Sequence, residues 1–72
     1  MIYFTKYADK KFEILNKYGV YFTKEQIVDC FKYPEKKQKK NKYITYEKEN
    51  IKIIIQKENN KIKILTFFPI KK

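Results

Sequence analysis

The apolar residues of this chain change period once, and the change falls on a run of lysines. From Ala8 to Phe31 they recur at helical spacing, and from Tyr43 to Phe68 they alternate as in a half-buried strand. Between the two stretches stands Lys36-Lys37-Gln38-Lys39-Lys40-Asn41-Lys42. A chain divided in this way segregates its helices from its strands, which defines the α+β class: helices on one face of an antiparallel sheet. The lysine run reads as a basic hinge between the halves.

The elements follow from local signals. Ile2-Tyr3-Phe4 fits a short first strand, and Thr5 caps a helix over residues 6–18. Ala8, Phe12 and Leu15 form the apolar stripe of that helix, widened by Ile14 and Tyr18. Gly19 sits where a left-handed residue closes a helix, with Val20 folding back on the last turn. Thr23-Lys24-Glu25-Gln26 is a capping box, and Phe22 with Ile27 makes a hydrophobic staple around it. The second helix runs to Lys32 and buries Ile27, Phe31 and either Val28 or Cys30; Pro34 ends it. Beyond the hinge, strands are expected at 43–47, 51–56 and 61–68, with asparagine-bearing turns between them. Closely connected sequential strands favour a three-stranded antiparallel meander.

Alternation sorts the strand residues. Ile51, Ile53, Ile55, Ile62 and Ile64 are expected to face the helices. Lys52, Gln56, Lys61 and Lys63 are expected to face water, sharing their side with Ile54, Leu65 and Phe67.

Size and composition narrow the function. The 72 residues are expected to form one domain, 1–72, and seven Tyr with six Phe supply area for a small core. A single cysteine permits no intrachain disulfide, and the lack of histidine removes zinc-type sites and Cys–His nucleophiles. Cys30 reads as a small core residue. No metal or other cofactor is expected. No apolar run approaches the roughly 20 residues of a membrane span, and no signal peptide is recognisable, so a cytoplasmic protein is expected.

The net charge of +10 is uneven: residues 1–30 carry five Lys against four acids, 31–42 six against one, and 43–72 seven against three. All eighteen basic residues are lysine. An A/T-rich genome explains much of that usage, but not the clustering in the hinge. Clustered lysines point to a polyanion partner.

Several landmarks carry a family resemblance. They are Phe4-Thr5-Lys6-Tyr7-Ala8, Lys11-Phe12, Gly19-Val20 followed by Thr23-Lys24-Glu25-Gln26-Ile27, Tyr33-Pro34, and Thr66-Phe67-Phe68-Pro69. In this order they resemble an uncharacterised family of small domains of the BrnT and RelE toxin type. The resemblance implies a RelE/BrnT-like fold and metal-independent RNA cleavage. It also implies an acidic, antitoxin-like protein partner. Tyr7 stands where that family usually has His, and Lys11 where it has Arg.

Three interaction chemistries follow. RNA cleavage without a metal needs charge stabilisation and proton transfer as the 2′-hydroxyl attacks phosphate, and the candidate catalytic residues are Tyr7, Lys11, Lys52 and Lys63. RNA binding assigns phosphates to Lys36, Lys37, Lys39, Lys40 and Lys42, and unpaired bases to Tyr43, Tyr46 and the neighbouring Tyr33. Protein binding assigns a partner to Ile54, Leu65 and Phe67 on the outer sheet face. The competing readings are solvated surface lysines, sheet-packed tyrosines, and an apolar strip covered by a second copy or by Ile70-Lys71-Lys72. A monomer and a homodimer both fit.

Overall fold

Two threonines decide where the helices start. In a computed structural model, which describes residues 2–70, Thr5 is extended and its hydroxyl accepts the Ala8 amide at 3.1 Å, opening α1 (Lys6–Lys17). Thr23 opens α2 (Lys24–Lys32) with the expected capping box: its hydroxyl accepts the Gln26 amide at 3.1 Å, and its own amide donates to Gln26 Oε1 at 2.9 Å. Gly19 closes the first helix at φ 80°. The amides of Gly19 and Val20 donate to the Asn16 and Leu15 carbonyls at 3.0 and 2.9 Å, which satisfies two of the orphan carbonyls of the last turn.

Five strands complete the chain: β1 (Ile2–Phe4), β2 (Lys36–Lys40), β3 (Tyr43–Lys48), β4 (Ile51–Glu58) and β5 (Lys61–Pro69). They form one mixed sheet in the order β1-β5-β4-β3-β2, with β1 parallel to β5 and the other pairs antiparallel. The fold is therefore α+β, with two helices and a five-stranded sheet. Lys71 and Lys72 lie outside the described residues.

The basic run is not a hinge loop. Residues 36–40 are an edge strand in continuous register with β3, from Lys36 opposite Glu47 to Lys40 opposite Tyr43. All five of its residues are exposed, so neither face imposes the alternation that marks a half-buried strand. Lysine on an outermost strand also discourages edge-to-edge pairing between copies. The expected three-stranded meander is thus extended by β2 on one side and by β1 beyond β5. Two-residue turns join β2 to β5, each beginning with a left-handed residue: Asn41 (φ 57°), Glu49 (55°) and Asn59 (55°).

The helices share one face of the sheet, α1 over β5 and β1, α2 over β4 and β3. Ala8, Leu15, Ile27 and Cys30 meet Ile44, Tyr46, Ile51, Ile53, Ile55, Ile64 and Phe67 in a core without a buried charged or polar side chain among the described residues. Phe12 bridges the layers, its ring 4.5 Å from Phe67 and 6.0 Å from Phe4. Ile14 and Tyr18, expected to widen the α1 stripe, are exposed because they rotate past the edge of this contact.

One irregularity reverses a parity expected from the sequence. Ile55 pairs with Ile64 but Ile54 pairs with Thr66, so Leu65 is an extra residue in β5. Such a bulge shifts the alternation by one. Phe67 therefore turns inward beside Ile53 and is fully buried, where unbroken alternation from Ile64 puts it outside.

Cys30 is buried, and its thiol faces the carbonyls of Tyr46 and Ile51 at 3.7 and 3.9 Å. Burial pushes its pKa up from 9.0 to about 11, against the opposing pull of Lys48. Below the unfolded value both states hold the proton. Above it the unfolded chain ionises first, so stability falls as pH rises from about 9 to 11. Urea denaturation across that range is expected to show a steeper decline for the native protein than for Cys30→Ala. Equal slopes would show that the thiol titrates normally, since lysines and tyrosines contribute to both proteins.

Candidate nucleic-acid interface

The register builds most of the helix-free face as three rows crossing the strands, with the pair Glu58 and Lys61 beyond the first of them. The first is Tyr3, Lys63, Gln56, Tyr43 and Lys40, one residue from each strand. The second is Thr66, Ile54, Thr45 and Gln38, with the extra residue Leu65 beside it. The third is Phe68, Lys52, Glu47 and Lys36. Successive rows on one face lie two residues apart, roughly 7 Å along the strands. The face thus has a low apolar-and-threonine centre between two rows that carry lysines and aromatic rings.

β2 divides its lysines between the two sides of the sheet. Lys36 and Lys40 stand on the helix-free face, whereas Lys37 and Lys39 extend the core rows that contain Tyr46 and Ile44. Lys37 Nζ lies 5.6 Å from the Tyr46 ring centroid, and Lys42 Nζ lies 5.9 Å from that of Tyr43. Tyr43 is 41 % exposed. Tyr46 is buried, edge-on to Phe31 at 5.3 Å, and no nucleotide can stack on it in the folded chain. That corrects the expectation for Tyr46: its even position in β3 turns it to the helices. Tyr33 is exposed at the end of α2, with Lys48 Nζ 5.6 Å from its ring. Lys48 itself is tied to Asp29, and that hydrogen bond holds its ammonium above the ordinary range.

The four candidate catalytic residues fall into two separate pairs. Tyr7 and Lys11 lie one turn apart on α1, with Lys11 Nζ 5.9 Å from the Tyr7 ring centroid. Lys52 and Lys63 lie on the face of the sheet that α1 does not cover. The core separates the pairs, so no single phosphate reaches all four. Lys63 is also ion-paired with Glu58 at 2.7 Å, and its hydrogen bond to that carboxylate raises its pKa. A lysine that is to accept a proton needs the opposite shift. Lys52 Nζ lies 5.8 Å from the Phe68 ring centroid, a cross-strand cation–π contact.

Of the expected protein-binding residues, Ile54 and Leu65 are half-buried beside each other in the middle row. Phe67 is not available there, since the bulge puts it in the core between Phe12 and Phe22. The sequence reading missed Tyr3, Gln38 and Phe68 as members of this face, whereas Gln56 lies there as expected. Tyr3 has an odd position in β1 and is 51 % exposed, but only the pairing of β1 with β5 places it beside Lys63. A separate open hollow of about 380 Å³ lies along α2 between Lys24, Lys32, Glu25, Asp29, Val28 and Tyr33. Its charges balance, so it lacks the field a phosphate needs.

Among the described residues, no helix is long and apolar enough to cross a membrane, and no cluster of three or more His, Cys, Asp or Glu is placed to hold a metal. Comparison of the chain with family models, curated proteins and solved structures gives no match.

Proposed function

We propose that this protein binds RNA without cutting it, through the lysines that β2 and its neighbours present on the helix-free sheet face. The observation that carries this reading is the register. It brings Lys36, Lys40, Lys52 and Lys63 from three strands onto one face, and Lys36 and Lys40 make no ion pair among the described residues. Several point charges on one face neutralise successive phosphates irrespective of base sequence. The order of elements is similar to that of RelE/BrnT-type toxins, which supports RNA as the polyanion. The division of Tyr7 and Lys11 from Lys52 and Lys63 favours binding over cleavage.

Fluorescence anisotropy with a labelled oligouridine tests the reading. Lys36→Gln/Lys40→Gln is expected to weaken binding about tenfold at low salt and to reduce the salt slope by about 1.4, two contacts at ~0.7 each. Lys37→Gln/Lys39→Gln, on the other side of β2, is expected to change it less. The oligonucleotide is expected to be recovered intact in EDTA. Unaltered affinity in the first variant rejects the lysine face, and cleavage in EDTA restores the ribonuclease reading.

A second reading has its own observation. Ile54 and Leu65 form an apolar centre flanked by lysines, which suits an acidic protein segment of the antitoxin kind.

A further inference from the structure

We infer that the row Tyr3, Lys63, Gln56, Tyr43 and Lys40 is a seat for unpaired nucleotides, so that the RNA this protein takes is single-stranded rather than duplex. The inference rests on the RNA-binding reading above and adds to it the form of RNA that fits.

Adjacent strands lie about 4.8 Å apart, which puts Tyr3 and Tyr43 about 14 Å from each other across β5 and β4. Both rings are exposed, at 51 and 41 %, on a face that no helix covers. Between them stand Lys63 and Gln56, and Lys40 ends the row. The row thus alternates surfaces for bases with groups for backbone and base edge. Gln56 can both donate to and accept from a base edge, and the ammonium groups of Lys40 and Lys63 suit phosphates. Lys63 would exchange its Glu58 partner for phosphate, so Lys40 is the stronger contact at rest.

The two rings distinguish the ligand. A duplex keeps its base faces stacked inside the helix and offers only phosphates and groove edges, which the lysines can meet without the tyrosines. The carboxylates of an acidic peptide likewise meet the lysines, but they have no flat face to stack on the rings. Unpaired bases use rings and lysines together, and each stacked base contributes about 1–3 kcal/mol.

The test compares a labelled oligouridine with an RNA duplex of equal length, using the native chain, Tyr3→Thr/Tyr43→Thr and Tyr3→Phe/Tyr43→Phe. Threonine suits a strand, and both sites are exposed, so folding is retained; thermal melts check this. The native chain is expected to prefer the single strand at least tenfold. The threonine pair is expected to lose about tenfold or more for oligouridine and nothing for duplex, while the phenylalanine pair keeps native affinity. Equal affinity for the two RNAs, or an unaffected threonine pair, overturns the tyrosine row and leaves the lysine face standing. Binding to neither RNA overturns both. Polyglutamate that binds more tightly than oligouridine, with the same loss in the threonine pair, assigns the row to an acidic polypeptide and also overturns the inference.

Discussion

Phe67→Ala is expected to lower the unfolding free energy by about 3–5 kcal/mol, and Phe68→Ala by only about 1 kcal/mol. The two residues are neighbours of identical chemistry, and only the bulge at Leu65 separates their fates. Phe67 is fully buried against Phe12, Phe22 and Ile53, and its removal leaves a cavity at the centre of the core. Phe68 lies half-buried on the helix-free face under Lys52, a contact worth about 0.5–1 kcal/mol. Domains of this length seldom hold more than about 3–5 kcal/mol, so Phe67→Ala is expected to be largely unfolded at room temperature. Urea denaturation followed by circular dichroism measures the contrast, and Phe67→Leu supplies a folded variant expected to lose about 1.5 kcal/mol. A larger loss at Phe68 than at Phe67 would mean that β5 runs without the bulge.

The same bulge marks the limit of what alternation reveals. The helix ends were legible because Thr5, Gly19 and Thr23 act through atoms within a few residues of themselves. The inward face of β4 was legible because its alternation of Ile51, Ile53 and Ile55 is unbroken, whereas Tyr46 of β3 was not, since a strand tyrosine suits either face of a sheet. Leu65 gives no such signal. An apolar residue between Ile64 and Thr66 reads equally as part of a regular strand, and only pairing with Ile54 and Ile55 shows that it is extra.

Edge strand β2 was hidden for the opposite reason. Its five exposed residues obey no burial pattern, and its strand character comes from hydrogen bonds to β3. The candidate interface inherits both difficulties. Charge clustering exposed Lys36 and Lys40, but the alignment of Lys40 with Tyr43, Lys63 and Tyr3, and of Lys36 with Lys52 and Phe68, depends on register across the sheet. Register is a long-range property, and no local motif encodes it.

Thr5→Val is expected to cost about 2 kcal/mol, roughly twice the cost of Thr23→Val, although both threonines cap a helix. The difference lies in what else the Thr5 hydroxyl does. It accepts the Ala8 amide and is placed to donate to the Ile64 and Leu65 carbonyls, both at 3.2 Å, while the Thr5 amide bonds Ile64 as well. Those carbonyls belong to the bulge, where the ladder to β4 is interrupted. Thr23 serves only its own exposed capping box, worth about 1 kcal/mol. Valine keeps the shape of threonine but removes the donor, leaving partly buried carbonyls without one of their partners. Serine retains the hydroxyl and is expected to restore most of the loss. Denaturation of the three variants measures these differences, and equal costs at Thr5 and Thr23 would reduce Thr5 to a helix cap. A larger cost at Thr5 makes it the clamp between the start of α1 and the bulge. The bulge in turn keeps Phe67 in the core and Leu65 and Phe68 on the helix-free face, so one hydroxyl supports both the core and the proposed RNA surface.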